Sequence, residues 1–587
     1  MQRFIYPPLE SARHIRLLRI FPGKTDDDVH GMIFQETLAA APRYDAVSYV
    51  WENDVKNCII HTSEGFLPVT TSLYSAVKRI RFEENSTVIW ADSICINQDD
   101  NQEKAIQIRL MRDIFERALH VLAYLGEAAD DSHLVPELMN AIANADLDSD
   151  PDKLRQGDFT GLGLPAESDP AWAAGRAFFR RPWWQRVWIV QEIVVASEVV
   201  VICGPWTVGW DLILCGVYKA REHHIMALQW SKNEPSSEVT SAGFTAAWRL
   251  IVSRIKFQGG TRLPLLVLLG FHGFTKATKA RDHLFALLGL AKDADDATLD
   301  PDYEGSLESV VTRYARFFIL RDKSLRPLYE AGTCDPHSRF PSWVPDWTID
   351  KKSVAGGYLD TDEDFYHAAG SSSTQPRFSD DSKVLIVKGG FVDAIAQVGF
   401  DYTLKTEKEG IGRELYPLLK RLRDSDRMLG TLESYPTGEQ LSEVYWRTLI
   451  ANKIRGQVPP PTLERSYEAF RTYLKKIQGI GGRLDTKSAE AATLWADMQP
   501  YSIPLLQLFE DVVFCVTEKG YVGLAPRTAA VGDVISIFLG CALPLVLRKF
   551  GPDTNEFYLV GGSYIHGIME GEALASEDWR EEEIFLR

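Results

Sequence analysis

Short apolar runs alternate with segments of helical periodicity across residues 40–205, and this alternation constrains the fold more than any other feature of the chain. The apolar runs are residues 44–50, 87–91, 119–125 and 198–203. The helical segments are residues 72–82, 101–118 and 169–196, the last of them interrupted near Pro182. Strands that alternate with helices are typical of α/β domains, because the helices connect neighbouring parallel strands. We therefore predict an α/β domain with a mainly parallel sheet over residues 40–205.

The rest of the sequence divides into four further regions. We interpret residues 1–39 as an N-terminal extension and residues 206–350 as a mainly helical region. Residues 351–505 combine a polar linker, rich in Gly and Ser, with further helices. In residues 506–587, short strands separated by Gly and Pro turns predict a small β-rich C-terminal unit with an acidic tail.

The net charge and the cysteines exclude several classes of protein. The formal net charge is −17, and an acidic surface repels nucleic acids and anionic membranes. The seven cysteines include no CxxC pair, which argues against a disulfide framework and against a structural zinc site. The N-terminal residues lack the apolar segment of a secretory signal, and no run of 18 apolar residues occurs. We expect a cytoplasmic protein with no membrane span, no bound metal and no nucleic-acid partner.

Three sequence blocks stand out within the α/β region. They are YDAVSYVW at residues 44–51, WADSICINQD at residues 90–99 and RPWWQRVWIVQE at residues 181–192. In order and spacing they resemble the three motifs of the fungal heterokaryon incompatibility (HET) domain, a module of cell-death effectors. The resemblance implies a fungal protein that acts in allorecognition and programmed cell death.

Three later stretches are also similar to sequences that follow the domain in long members of this family. They are RDHLFALLG at residues 281–289, PSWVPDW at residues 341–347 and GGSYIHGIM at residues 561–569. One position departs from the family pattern, because Glu52 follows the tryptophan of the first motif where members usually carry glycine. If that glycine needs a positive φ or a close approach to a ligand, glutamate alters the loop and its ligand binding.

HET domains are in turn similar to TIR domains, which have a flavodoxin-like α/β fold and some of which cleave NAD with one glutamate. YDAVSY resembles the opening strand of a TIR domain. RVWIVQE resembles the TIR segment in which a tryptophan lies four residues before the functional glutamate. The resemblance implies a flavodoxin- or TIR-like parallel sheet, Glu192 as the catalytic residue, and NAD as a substrate rather than a cofactor.

The residue types in these blocks suit the cleavage of a nicotinamide–ribose bond. The reaction builds positive charge at the anomeric carbon, and a nearby carboxylate stabilises that charge. Glu192 lies four residues after Trp188, so a helix would place both on one face. Ligands of parallel sheets bind at the carboxyl ends of the strands, where most of the other candidates fall. The other candidates for substrate contact are Ser48, Tyr49, Trp51, Asp92, Asn97, Gln98 and Arg186.

Each candidate also has a purely structural interpretation. Glu192 could form a salt bridge with Arg181 or Arg186. Asp92 could cap a turn, and Trp188 could belong to the core. Besides an NAD-cleaving effector, the sequence leaves open a non-enzymatic effector that acts through self-association or a protein trigger. It also leaves open a metabolic enzyme built on a HET scaffold.

Overall fold

The computed structural model describes most of the chain. The described residues are 2–51, 55–147, 153, 158–223, 225, 237–332, 338–349, 365–400, 415–454, 456–479, 489–509, 512–551 and 554–587. They form two compact units. The first comprises Met1–Gly305 with Thr348–Asp350, and the second comprises Ser306–Trp347 with Lys351–Arg587.

The first unit is built around a mixed sheet of nine strands. Along the chain the strands are β1 (His14–Ile20), β2 (His30–Thr37), β3 (Asp45–Ser48), β4 (Cys58–Thr62), β5 (Gly65–Val69), β6 (Thr87–Trp90), β7 (Val121–Tyr124), β8 (Val199–Cys203) and β9 (Trp206–Gly209). Their order across the sheet is β5-β4-β2-β1-β6-β3-β7-β8-β9. The four apolar runs predicted from the sequence are observed as β3, β6, β7 and β8.

Those four strands form the parallel centre of the sheet. β3 pairs in parallel with β6 and with β7, and β7 pairs in parallel with β8. At the outside, β9 pairs antiparallel with β8, and β1 pairs antiparallel with β6. β2 and β4 form one further parallel pair outside the centre, and the other pairs of the sheet are antiparallel. The sheet is therefore mixed, and the expectation of a mainly parallel sheet holds for its centre. β1 and β2 come from residues 1–39, which add two strands to the sheet.

Helices cover the strands of the first unit. They are α1 (Thr71–Ile80), α2 (Asp92–Cys95), α3 (Asn101–Arg117), α4 (Val135–Asn144), α5 (Pro170–Arg180), α6 (Trp188–Val194), α7 (Trp210–Glu222), α8 (Ser237–Gln258), α9 (Leu265–His272) and α10 (Asp282–Phe285). Short 3₁₀ helices span Ser132–Leu134, Thr160–Leu162, Pro182–Gln185, Leu288–Leu290 and Ala297–Leu299.

Side-chain caps and a proline explain where the helices next to the site begin. The Asp100 carboxylate accepts hydrogen bonds from the backbone N–H groups of Gln102 and Glu103 at the start of α3, at 2.9 and 3.0 Å. It thereby satisfies two donors that have no partner within the helix. Pro182 separates α5 from α6, because proline cannot donate the hydrogen bond that would continue α5. The interruption expected near this residue is observed.

The third sequence block packs into an aromatic core. Trp183 and Trp184 are both fully buried, and their ring centroids lie 4.9 Å apart in an edge-to-face arrangement. Phe178 and Phe179 of α5 contact the Trp184 ring, with centroids 5.5 and 5.3 Å away. This cluster fixes the position of α6, which follows directly in the chain.

The second unit combines helices with a β-rich sheet. Its helices are α11 (Leu307–Asp322), α12 (Leu415–Leu429), α13 (Leu441–Leu449), α14 (Leu463–Gly479) and α15 (Ala489–Phe509), with 3₁₀ turns at Arg326–Tyr329 and Glu572–Ala575. Its strands are β10 (Arg377–Phe378), β11 (Leu385–Val398), β12 (Val512–Thr517), β13 (Val522–Pro526), β14 (Val534–Phe538), β15 (Leu545–Lys549), β16 (Glu556–Gly562), β17 (Tyr564–Ile565) and β18 (Glu582–Leu586). The predicted sequence of a helical region followed by a β-rich unit is observed.

Two strands of this unit depart from the sequence interpretation. β11 lies in the region that was interpreted as linker and helices, yet it pairs with β10, β12, β14 and β18. β18 lies within the expected acidic tail. Alternation explains β18, because Ile584 and Leu586 are buried, Phe585 between them is half-buried, and Glu582 and Glu583 before them are exposed. Residues 351–364 of the expected linker lie outside the described residues.

The described residues offer neither a membrane span nor a metal cluster. None of the described helices combines the length and apolarity that crossing a bilayer requires. No group of three or more His, Cys, Asp or Glu side chains in the described part of the chain is arranged to hold a metal ion.

Candidate functional site

The candidate site lies at the carboxyl edge of the parallel strands β3 and β6. Ser48 is the last residue of β3, and Tyr49 and Trp51 follow it. Asp92 begins α2, directly after the end of β6 and Ala91. Because β3 and β6 are parallel neighbours, these side chains come to the same edge of the sheet, where ligands of α/β sheets bind.

The Asp92 carboxylate is the centre of a hydrogen-bond cluster. Its Oδ1 accepts from the Tyr49 hydroxyl at 2.8 Å, from the Trp51 indole N–H at 3.2 Å and from the Ser93 backbone N–H at 2.8 Å. The Tyr49 oxygen also lies 2.6 Å from the Ser93 hydroxyl. A phenol carries one hydrogen, so Tyr49 donates to Asp92 and accepts from Ser93. Three sequence-predicted residues, Tyr49, Trp51 and Asp92, are therefore in direct contact.

Glu192 lies in α6 with only 2% of its surface exposed. One carboxyl oxygen, Oε2, is buried and has no hydrogen-bond partner among the described residues. The pKa of Glu192 is raised from 4.5 to about 7, because burial raises it strongly and the charge of Asp92 adds to this, whereas Arg186 and a hydrogen bond from Ser48 lower it. Near neutral pH the carboxyl therefore exchanges between its protonated and ionised forms.

Ser48 and Arg186 connect Glu192 to the first sequence block. The Trp183 indole N–H donates to the Ser48 oxygen at 3.0 Å, which leaves the Ser48 hydrogen for Glu192. Arg186 donates to the backbone carbonyl of Tyr49 and acts on Glu192 through its charge rather than through a hydrogen bond. Arg181 donates instead to the carbonyl groups of residues 125 and 127. Neither arginine forms the salt bridge that was considered as a structural role for Glu192.

The Trp188 side chain contacts a residue that lies outside the third sequence block. Its indole N–H donates to Asp282 Oδ2 at 3.1 Å, and the Tyr303 hydroxyl donates to Asp282 Oδ1 at 2.8 Å. Burial raises the pKa of Asp282, and these two hydrogen bonds act against the increase. Residues 282–303 therefore complete the surroundings of α6.

Asn97 and Gln98 have different surroundings from the other candidates. The Gln98 side-chain amide donates to the backbone oxygen of Asp92 at 3.0 Å. The Asn97 backbone N–H donates to Glu103 at 2.7 Å, and its side-chain oxygen accepts from the Asp99 N–H at 3.2 Å. Asn97 and Gln98 also line a small cleft that is open to solvent. Their hydrogen bonds lie within the segment 92–103, and in the described structure neither residue forms a hydrogen bond with Glu192.

Comparison with known families now assigns this region. Residues 44–192 match the family model described as heterokaryon incompatibility protein (HET). The match begins at the first sequence block and ends at Glu192, so it contains every candidate residue predicted from the sequence. The chain carries a HET domain.

A second family and a curated relative extend the similarity beyond the HET domain. Residues 495–586 match the family model described as Het-6 beta-barrel domain. In this chain, these residues contain the strands β12 to β18. The chain is 25% identical to heterokaryon incompatibility protein 6, OR allele, of Neurospora crassa, over 96% of this chain and 95% of the relative. No solved structure matches the chain.

A buried ion pair holds the second motif of the HET domain. The Arg16 guanidinium of β1 donates to both Glu103 carboxylate oxygens, at 2.6 and 3.0 Å, and to the backbone oxygen of Cys95 at 3.3 Å. Glu103 in turn accepts from the Asn97 N–H. Burial raises the pKa of the Cys95 thiol to about 12, so the thiol is protonated at neutral pH and unsuited to nucleophilic attack.

The raised pKa of Glu192 predicts a pH-dependent penalty on the stability of the HET domain. The folded carboxyl holds its proton up to about pH 7, whereas the unfolded one releases it near 4.5, so stability falls as pH rises between these values. The full difference is on the order of 3 kcal/mol. We expect Glu192→Gln to be more stable than the wild type at pH 8 and equally stable at pH 4.5.

Urea unfolding of the wild type and the variant at several pH values measures this difference. Glu198→Gln is a suitable control, because the Glu198 side chain is 67% exposed and lies in the same compact unit. Equal stabilities of Glu192→Gln and wild type at pH 8 would contradict the assigned environment of Glu192.

Several residues near the site were not selected from the sequence. Asp282 accepts a hydrogen bond from Trp188, Tyr303 donates to Asp282, and Lys104 lies near the Tyr303 ring. No spacing rule connects these three residues with the three motifs. The RDHLFALLG stretch at residues 281–289 was the available signal, since it contains Asp282. Glu52, the departure from the family pattern, lies outside the described residues.

Proposed function

We propose that the HET domain cleaves the nicotinamide–ribose bond of NAD and that this activity makes the chain a fungal incompatibility effector. The single observation that carries the catalytic part is Glu192, a buried carboxyl with one unpartnered oxygen and a pKa of about 7. Buried carboxyls of this kind are typical of functional sites. The effector role rests on the similarity to the Neurospora crassa incompatibility protein over nearly the whole of both chains.

The arrangement of the sheet supports a TIR- or flavodoxin-like HET domain. If the four parallel strands are numbered along the chain, their order across the sheet is 2-1-3-4. That order is typical of flavodoxin-like sheets, which bind ligands where the connections from the first and third strands diverge. The carboxyl end of β3, at Ser48, lies at this position.

The proposed chemistry follows from the residues around Glu192. In its ionised form Glu192 stabilises the positive charge that develops on the ribose as neutral nicotinamide leaves. Water then adds to the anomeric carbon and releases a proton, which gives ADP-ribose. Ser48 orients the carboxylate, and Asp92 with Tyr49 and Trp51 provides polar contacts at the same edge. Because Glu192 is buried, the proposal requires neighbouring side chains to move when the substrate enters.

Incubation of the full-length protein with NAD tests this function. We expect nicotinamide and ADP-ribose to appear in equal amounts, with a rate that rises with pH through about 7 as Glu192 ionises. Chromatography should follow both products at low and at high protein concentration, so that an activity that depends on self-association is also detected.

A complete lack of cleavage under both conditions would contradict the catalytic proposal. Expression in a fungal host would then separate the alternatives. Growth arrest without NAD loss would favour an effector that acts by self-association or partner binding, and normal growth would favour a metabolic role.

A further inference from the structure

Three cationic side chains surround one aromatic ring beside the candidate site. The Lys104 ammonium lies 5.1 Å from the centre of the Tyr303 ring, and the Lys279 ammonium lies 5.7 Å from it. The Arg281 guanidinium lies 6.0 Å from the same ring. These residues come from α3 and from the segment before α10, so the fold brings together cations that are distant in the sequence.

Lys104 and Lys279 are close enough to affect each other strongly. Lys104 is only 9% exposed. Its burial and the neighbouring Lys279 lower the pKa of Lys104 to about 8, although the charges of Asp282 and Asp92 act in the opposite direction. Two neighbouring ammonium groups repel each other, and the repulsion is stronger where one of them is buried.

The carboxylates nearby do not neutralise the lysine pair through direct contact. The two oxygens of Asp282 accept hydrogen bonds from Tyr303 and Trp188. Among the described residues, no carboxylate oxygen lies within 4.0 Å of either lysine ammonium. Lys104 also lies in the first turn of α3, a helix of 17 residues, where the helix dipole adds positive potential. An anion with several oxygens would relieve the repulsion.

We propose that Lys104 and Lys279 bind the diphosphate group of a dinucleotide whose ribose reaches Glu192. The identity of the dinucleotide rests on the proposed NAD cleavage, whereas the phosphate chemistry rests on the lysines. Trp188 contacts Asp282 beside the pair and lies four residues, about 6 Å along the helix axis, before Glu192. In a dinucleotide, the diphosphate is separated from the anomeric carbon by one ribose, which is a comparable distance.

Inorganic pyrophosphate tests this inference without requiring NAD cleavage. Its binding to the full-length protein would be measured by calorimetry at low ionic strength for the wild type, Lys104→Gln and Lys279→Gln. We expect each substitution to weaken pyrophosphate binding about tenfold or more, because each removes one charge-assisted contact. Lys279 is exposed, so Lys279→Gln should retain the fold even if Lys104→Gln does not.

Two further variants test whether the loss of pyrophosphate binding is specific to Lys104 and Lys279. Lys78 lies 5.4 Å from the Tyr74 ring, which gives a lysine over a tyrosine as a matched control, and Lys78→Gln should bind pyrophosphate like the wild type. Lys56 lines the open cleft near Asn97. Loss of binding in Lys56→Gln with normal binding in Lys279→Gln would overturn the proposal, as would a wild type that does not bind pyrophosphate.

The experiments distinguish a failure of the phosphate site from a failure of the proposed NAD cleavage. A protein that binds pyrophosphate through Lys279 but leaves NAD intact would support the phosphate site and contradict the cleavage. A protein that cleaves NAD with an unchanged KM in Lys279→Gln would support the cleavage and contradict the phosphate site.

Discussion

Glu192→Gln is expected to lower the rate of NAD cleavage by about 10²–10³-fold, the loss that follows removal of one group that stabilises a transition-state charge. Glutamine has nearly the same shape as glutamate, so it can still accept the hydrogen bond from Ser48. It cannot carry the negative charge that offsets the developing charge on the ribose. The loss should therefore appear mainly in kcat.

The measurement compares initial rates of nicotinamide release by the wild type, Glu192→Gln and the exposed control Glu198→Gln at pH 8. Thermal unfolding of the same samples establishes that each variant is folded. A folded Glu192→Gln protein with wild-type cleavage would remove Glu192 from the mechanism. The control should retain the wild-type rate, because its side chain is exposed.

Arg16→Met is expected to reduce the free energy of unfolding by about 3–5 kcal/mol, because it leaves the Glu103 carboxylate buried without its partner. Arg16 is 1% exposed and donates to both oxygens of Glu103. It also donates to the carbonyl of Cys95, the last residue of α2. The substitution should therefore loosen α2, which begins at Asp92, as well as destabilise the first unit.

Chemical unfolding of Arg16→Met and of the double variant Arg16→Met/Glu103→Gln tests this explanation. The neutral glutamine removes the uncompensated charge and can still accept from the Asn97 N–H. We expect the double variant to recover much of the stability lost in the single variant. If both are equally destabilised, the loss arises from packing around Arg16 rather than from the unpaired charge.

The parallel centre of the fold could be predicted because it depends on local patterns. β3, β6, β7 and β8 are short apolar runs between helical segments, and each was located from the sequence. β11 was missed because Gly389 and Gly390 interrupt its apolar pattern. The structure requires both glycines, since a Cβ at either would lie 2.5 or 2.6 Å from a backbone oxygen of a neighbouring segment. The segments that lie against these two glycines are distant from β11 in the sequence.

The residues of the candidate site could likewise be predicted only in part from the sequence. Ser48, Tyr49 and Asp92 follow parallel strands, and the rule that ligands bind at carboxyl edges was sufficient to group them. Lys104 and Lys279 could not be grouped from the sequence, because their proximity is set by the packing around Tyr303. The burial of Glu192, and with it the raised pKa, is likewise a property of the folded α6 and its aromatic surroundings.

Every residue assigned to the site, from Ser48 to Tyr303, belongs to the first unit, which comprises Met1–Gly305 and the short segment Thr348–Asp350. At ~5–20 residues per second, a ribosome needs on the order of 15–60 s to synthesise residues 306–587. During that interval a nascent chain already contains every residue of the site, although synthesis of the second unit is incomplete. If the proposed NAD cleavage occurs, any restraint of it by the second unit could begin only after this interval. The burial of Glu192 would limit access to the carboxyl as soon as the first unit has folded.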